Sequence, residues 1–209
     1  MGDCGRGRPR PWRRTALASG DTGATFVDLV IALTLVLTMT GLAMPATAEV
    51  LEASRARQAA GFMASQFRLA RLRAVASTRS VGLVFDQIGA AWTFRICTDG
   101  NANGLRRSEL GSGQDACTSE LVDVAAMFPG MAIGVDPRLP GPVGEPGSGD
   151  PVRFGTSDIL SFSATGTCTA GTLFLRSARG TQYAVRISNV TTRTRVLRYE
   201  AGPRTWVPV

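Results

Sequence analysis

The sequence predicts an α+β protein, a long N-terminal helix followed by a head of β-sandwich-like antiparallel sheets, on three observations. Residues 46–80 are rich in alanine, lack proline and hold Gly61 as their sole glycine, a composition that suits a helix. Beyond Ser80 the apolar period changes from helical to alternating: Val81, Leu83 and Phe85 alternate, and so do Trp92, Phe94 and Ile96. After that pair, short apolar runs recur between clusters of glycine, proline and aspartate, the punctuation of a many-stranded sheet. At 209 residues the chain holds one such helix and one domain of roughly 120 to 150 residues with a core of its own.

Taken in order, residues 1–23 are a polar leader in which Arg6, Arg8, Arg10, Arg13 and Arg14 outnumber Asp3 and Asp21, so the leader stays on the cytoplasmic side of a membrane. From Phe26 to Met44 run nineteen residues with no charge except Asp28. At ~1.5 Å rise they make roughly 28 Å of helix, about one bilayer core. Segment 24–45 therefore reads as a membrane-spanning helix with the rest of the chain beyond it. A carboxylate at membrane depth is costly, so Asp28 calls for a cationic partner. An ordinary signal anchor with Asp28 snorkelling into the headgroups is the plain alternative.

Segment 46–80 continues the helix past Pro45 as an amphipathic stretch. Arg57, Arg68 and Arg79 recur every eleven residues and form one stripe with Arg71 beside it. Ala59, Phe62, Met63, Leu69, Ala70 and Ala74 fall mainly on the other side. The pattern reads as a solvated basic face over an apolar face docked on the head. The head spans 81–209. Its first two strands form a hairpin about a short turn at 87–90, and further strands are expected at 121–124, 131–135, 152–154, 159–162, 172–176, 182–188 and 194–199. Residues 136–151, dense in proline and glycine, are expected to form a mobile loop.

The stretch Gly23-Ala24-Thr25-Phe26-Val27-Asp28, a glycine with an acid five positions on and an apolar helix behind it, resembles the class III signal of type IV prepilins and type II secretion pseudopilins. The resemblance implies that a membrane prepilin peptidase cuts between Gly23 and Ala24 and N-methylates Ala24. Asp28 stands where the family has glutamate, Pro45 where many members kink the helix, and Ala24 replaces the usual phenylalanine. It also implies a role for Asp28. Inside an apolar filament core, where an unpaired charge is costly, its carboxylate neutralises the amine of Ala24, its own or a neighbour's, and so sets subunit register.

Further motifs lie in the head. The helix end Phe67-Arg68-Leu69-Ala70-Arg71-Leu72-Arg73-Ala74-Val75-Ala76, the strand Val81-Gly82-Leu83-Val84-Phe85-Asp86, Trp92, Ile159-Leu160-Ser161-Phe162-Ser163 with Gly166, and Gly171-Thr172-Leu173-Phe174-Leu175 resemble the GspH/FimT family of minor pseudopilins and minor pilins. What this implies is a pilin-like, non-enzymatic subunit without cofactor, single-pass in the bacterial inner membrane with a periplasmic head. Its partners would be the prepilin peptidase, the membrane, and the other pseudopilins or pilins of a filament. Its place would be at or near the tip of a type II secretion pseudopilus. Some FimT-like minor pilins bind DNA for uptake through a basic C-terminal region with a glycine-arginine-x-arginine motif. The alternative reading is thus a DNA-binding minor pilin using Arg193, Arg195 and Arg198, in which Thr192 replaces the motif's glycine.

Composition sets outer bounds. All 23 basic residues are arginine, and histidine, the commonest general base and metal ligand, is missing. There is no Gly-x-Ser-x-Gly elbow and no phosphate-binding Gly-x-x-x-x-Gly-Lys, so catalysis finds no support. An arginine-only bias also fits GC-rich codon usage. Charge is segregated: residues 81–159 hold ten acids against five arginines, whereas from Leu160 onward Arg176, Arg179, Arg186, Arg193, Arg195, Arg198 and Arg204 meet only Glu200. Arg193 and Arg195 share one face of a strand, and Tyr183, Tyr199 and Trp206 stand ready to stack on bases. A solvated arginine face, or one that meets acidic neighbours in a filament, is the competing reading.

Cys4 lies in the leader, and Cys97, Cys117 and Cys168 lie in a domain exported to an oxidising compartment. Cys97 with Cys117 would close a compact loop, and Cys168 would instead take either partner in the other connectivities. Their spacing is not that of a zinc site. Asp99, Asn101 and Asn103 with Gly104 have the oxygen donors of a calcium loop, but the closing acid is replaced by Leu110, and a turn held by Asn and Asp side chains competes. Two further export signals are weaker. Arg13-Arg14 suggests a twin-arginine pair, but Ala18-Ser19-Gly20-Asp21 intervenes before the apolar run. Ala46-Thr47-Ala48 imitates a small-residue cleavage site that would release a secreted protein, although the apolar run is long for a signal peptide.

Overall fold

The structure, a computed structural model, describes residues 25–117, 120–189 and 191–209, and the side chains of residues 41–47 lie outside the description. It divides into two compact units at the bond between Met44 and Pro45. The first contains the start of helix α1 (Phe26–Ser77), 52 residues long. From Phe26 to Met39 its large apolar side chains are exposed, among them Phe26, Val36 and Met39. The threonines in this run are satisfied within the helix: Thr34 Oγ1 donates to the Val30 carbonyl at 2.9 Å and Thr40 Oγ1 to that of Val36 at 2.7 Å. Among the described residues, no helix is long and apolar enough to cross a membrane. The expected span ends on residues 41–44, and it shares the bend expected at Pro45 with the segment whose side chains are not described.

The second unit is α+β. After α1 come β1 (Val81–Ile88), β2 (Ala91–Thr98), α2 (Arg107–Leu110), β3 (Ala116–Cys117), β4 (Val122–Asp123) and α3 (Val124–Met127). Then follow β5 (Met131–Ile133), β6 (Val152–Arg153), β7 (Ile159–Phe162), β8 (Gly171–Ser177), β9 (Gln182–Ile187), β10 (Thr194–Glu200) and β11 (Thr205–Pro208). They build two antiparallel sheets, one in the order β3-β2-β1-β7 with β4 also on β2, the other in the order β11-β10-β9-β8-β5 with β6 also on β8.

One core joins the helix to both sheets. Ala56, Ala59, Ala60, Met63, Ala64, Phe67, Ala70 and Ala74 of α1 are buried against Leu83, Phe85 and Phe94 of the first sheet and Leu173, Leu175 and Val185 of the second. Their spacing of three and four residues makes one face, and its many alanines let the strands approach the helix backbone. Phe67 meets Phe154 edge-on at 5.8 Å between centroids. Glu52 fastens the helix to the β8–β9 turn: its carboxylate accepts from Ser177 Oγ, and pairs with Arg179 Nε at 3.1 Å.

Several expectations are corrected. Leu69, placed on the apolar face, is 37% exposed, because it falls to the side of the stripe that Phe67 and Ala70 define. The helix stops at Ser77 rather than at 80, where Thr78 turns to φ 51°. At 121–124 only Val122 and Asp123 are strand, since the Asp123 carboxylate caps the short helix that follows by accepting from Ala125 N. Elements α2, β3 and β11 were not expected. The simple alternation of β1 is also replaced, for Val81, Gly82, Leu83, Val84 and Phe85 are all buried. Val84, Cys97 and Ile159 make a second small core on the outer face of the first sheet, under Leu105, Leu110 and Cys117. A Cβ on Gly82 would lie 2.5 Å from the Leu160 carbonyl oxygen, so the close approach of β7 requires glycine there.

The loop 136–151 is irregular but tied down. Trp206 Nε1 donates to the Pro140 carbonyl at 2.7 Å, and Glu145 lies 3.7 Å from Arg186. Beneath it, Val135, Phe174, Ala184 and Leu197 with Trp206 form the outer core of the second sheet.

Candidate functional site

Gly23 and Ala24, where the peptidase cut and methylation are expected, lie outside the described residues. The helix begins directly after Thr25, and Asp28 closes a reciprocal cap with it. Thr25 N and Thr25 Oγ1 both donate to Asp28 Oδ2, at 3.0 and 2.8 Å, while Asp28 N donates back to Thr25 Oγ1 at 3.3 Å. This is a capping box with aspartate at the third helical position, which also suits the positive end of the helix dipole. Sequence reasoning gave Asp28 a partner among amines and missed Thr25, although Thr-x-x-Asp ahead of an apolar run is the spacing that signals it. One methylene shorter than glutamate, the side chain here reaches back to the cap and stays exposed.

Cys97 and Cys117 are joined in a disulfide across the β2–β3 pair, and Cys168 is the free cysteine among the described residues. Cys168 is half-buried, its Sγ 3.5 Å from the Ser188 carbonyl. Burial pushes its thiol up, and the nearby Arg71 opposes that shift, so it remains a thiol at neutral pH.

The loop that follows β2 uses its oxygens internally. The Asp99 carboxylate, almost fully buried, accepts from the backbone N–H groups of Asn101, Ala102 and Gly104, the last at 2.7 Å. Asp115 accepts from Gly100 N and Arg106 N, and Glu109 accepts from the amides of Asn101 and Asn103. Leu110, at the position where a calcium loop would close, belongs to the outer core of the first sheet. Arg107 turns away to Asp86 at 2.7 Å and to the Phe85 carbonyl. Backbone donors thus take the carboxylates of Asp99 and Asp115 and side-chain amides that of Glu109, and among the described residues no group of three or more His, Cys, Asp or Glu side chains is placed together as a metal site.

The C-terminal arginines do not act as one set. In β10, Arg195 lies opposite Arg186 of β9 and borders a pocket with Trp206 and Leu197 on the outer face of the sheet, whereas Arg193, just before the strand, borders both that pocket and a groove beside α1. Arg198 stands opposite Tyr183, three residues on from Arg195 and hence on the other face, with its guanidinium 2.8 Å from Glu200. The aromatic side chains expected to stack on bases are taken: Tyr183 is buried, and Trp206 packs on both Phe174 and Tyr199. Thr192, where the DNA-binding motif has glycine, holds φ 48°, the left-handed conformation that glycine adopts freely.

Comparison with protein-family models, curated proteins and solved structures gives no match to this chain.

Proposed function

We propose that this protein is a pilin-like subunit, a minor pseudopilin of a type II secretion system, whose N-terminal helix passes from the inner membrane into the core of a short periplasmic filament. The observation that carries this reading is helix α1. From Phe26 to Met39 it presents exposed apolar side chains with Asp28 as the single acid, which calls for burial against lipid or other copies. Its second half is rooted in the core of the β-rich unit through Ala56 to Ala74. A subunit built this way carries its head outward when its helix changes environment, and needs no catalytic group. Asp28 supplies the one fixed charge of the apolar half, available to the amine of Ala24 once the leader is gone.

The test is the mass of the chain recovered from cells that produce it with a prepilin peptidase. The expected product starts at methylated Ala24, and recovery of the intact arginine leader would overturn the reading. Because an uncompensated buried charge costs about 3–5 kcal/mol, Asp28→Ala should lower incorporation into filaments by roughly a hundredfold to a few thousandfold. Asp28→Asn, which keeps an acceptor for Thr25 and loses the charge, should fail as badly. If it assembles like the wild type, the cap and not the charge is what matters.

A further inference from the structure

Beside the C-terminal half of α1 runs a groove of ≈ 730 Å³, lined by Arg68, Arg71, Leu72 and Val75 of the helix, by Phe162 of β7 and by Arg193 from the segment before β10. Two features set it apart. Leu72 and Val75 are 67% and 49% exposed on a helix whose neighbouring Phe67, Ala70 and Ala74 are fully buried, so apolar surface faces solvent here without a cover. Around it stand three exposed guanidinium groups, those of Arg68, Arg71 and Arg193, with no carboxylate partner among the described residues, where Asp86, Glu52, Glu145 and Glu200 pair with other arginines. Arg68 and Arg71 lie three apart on one helix, a like-charge pair that raises the free energy of the empty groove and falls when a counter-charge arrives.

We propose that this groove is a docking site for an acidic, aliphatic segment of a partner polypeptide, which lays apolar side chains on Leu72 and Val75 and carboxylates on Arg68, Arg71 and Arg193. Carboxylates meet guanidinium groups in paired, charge-assisted hydrogen bonds, and an amphipathic segment brings both chemistries at the spacing of one helix face. A nucleic acid fits the lining less well. Phe67 and Phe162 are fully buried, so no aromatic face is offered to a base, and the exposed floor is aliphatic. The inference rests on the β-rich unit alone and stands whether or not the leader is processed.

The experiment uses the full chain in lipid nanodiscs, with empty nanodiscs as blank. The probe is a fluorescent amphipathic peptide of about 15 residues with leucine and glutamate along one face. Binding is expected to weaken about tenfold when glutamine replaces the glutamates, and about tenfold with Arg71→Glu or with Leu72→Ser, both at exposed positions. Arg204→Glu, the same charge change at an exposed position outside the groove, should leave it unaltered. Equal affinity for the glutamine peptide, an equal loss with Arg204→Glu, or tighter and more salt-sensitive binding of a single-stranded oligonucleotide would each overturn the proposal.

Discussion

Thr192 holds a backbone conformation that a β-branched residue rarely takes, at φ 48° in the turn between β9 and β10. The left-handed region costs a non-glycine residue about 1–2 kcal/mol, and glycine gives back part of that through its freer unfolded chain. Thr192→Gly is therefore expected to stabilise the protein by about 1 kcal/mol, a rise in Tm of about 2–4 °C for a chain of this size. A fall in Tm would show that the threonine side chain matters more than the strain. The same scale separates what each acid does. Asp28 and Asp123 cap helices, Asp99 and Asp115 gather backbone N–H groups within one loop, and Asp86 pairs with Arg95 and Arg107. Spacing alone reveals the caps, since both bond within three residues. The ion pairs of Asp86 join positions far apart in the chain and leave no local pattern.

Helix α1 shows how much an apolar period can tell. The stripe of Ala59, Met63, Ala70 and Ala74 is legible because each residue returns to one face after three or four steps, and the structure adds Ala56, Ala60, Ala64 and Phe67 to it. Phe67 is the largest of the eight and is fully buried beside Phe154. Phe67→Ala is expected to cost about 3–5 kcal/mol, read from a denaturant midpoint, while Leu72→Ala, on the exposed side, should stay within about 0.5 kcal/mol. Comparable losses for both would mean that the helix docks by another face. Among the strands, β7 spans the expected residues 159–162, and β8, β9 and β10 differ from expectation only at their ends. The strand β11 carries only four residues, with a proline among them, too short a pattern to stand out.

For the molecule as a whole, each sheet is covered twice. The helix and the shared core fill the inner faces, while the loop after β2 and the loop 136–151 cover the outer ones. The disulfide closes the first of these covers over a sequence separation of 20, which constrains the unfolded chain by about 3 kcal/mol. Cys97→Ala with Cys117→Ala is expected to lose about that much in chemical denaturation. An unchanged midpoint would mean that the loop holds without its covalent tie, through the Asp99 and Asp115 networks.

The order of residues by itself determined the class of the molecule, α+β: a helix ahead of residue 80, a hairpin after it, and a train of short strands whose positions follow from period and turn residues. It also marked Asp28 and a basic C-terminal strand, and it left open which of Cys97, Cys117 and Cys168 pair, which the structure settles as Cys97 with Cys117. Only the tertiary structure decided that Arg193 and Arg195 part company with Arg198, that Tyr183 is core, that Glu52 grips the β8–β9 turn, and that β1 is buried on both faces. The physical reason is one of range. Periodicity records what the local backbone does with each side chain, whereas the second cover of a sheet and the partner of a charge come from segments tens of residues away, brought there by the packing of the whole chain.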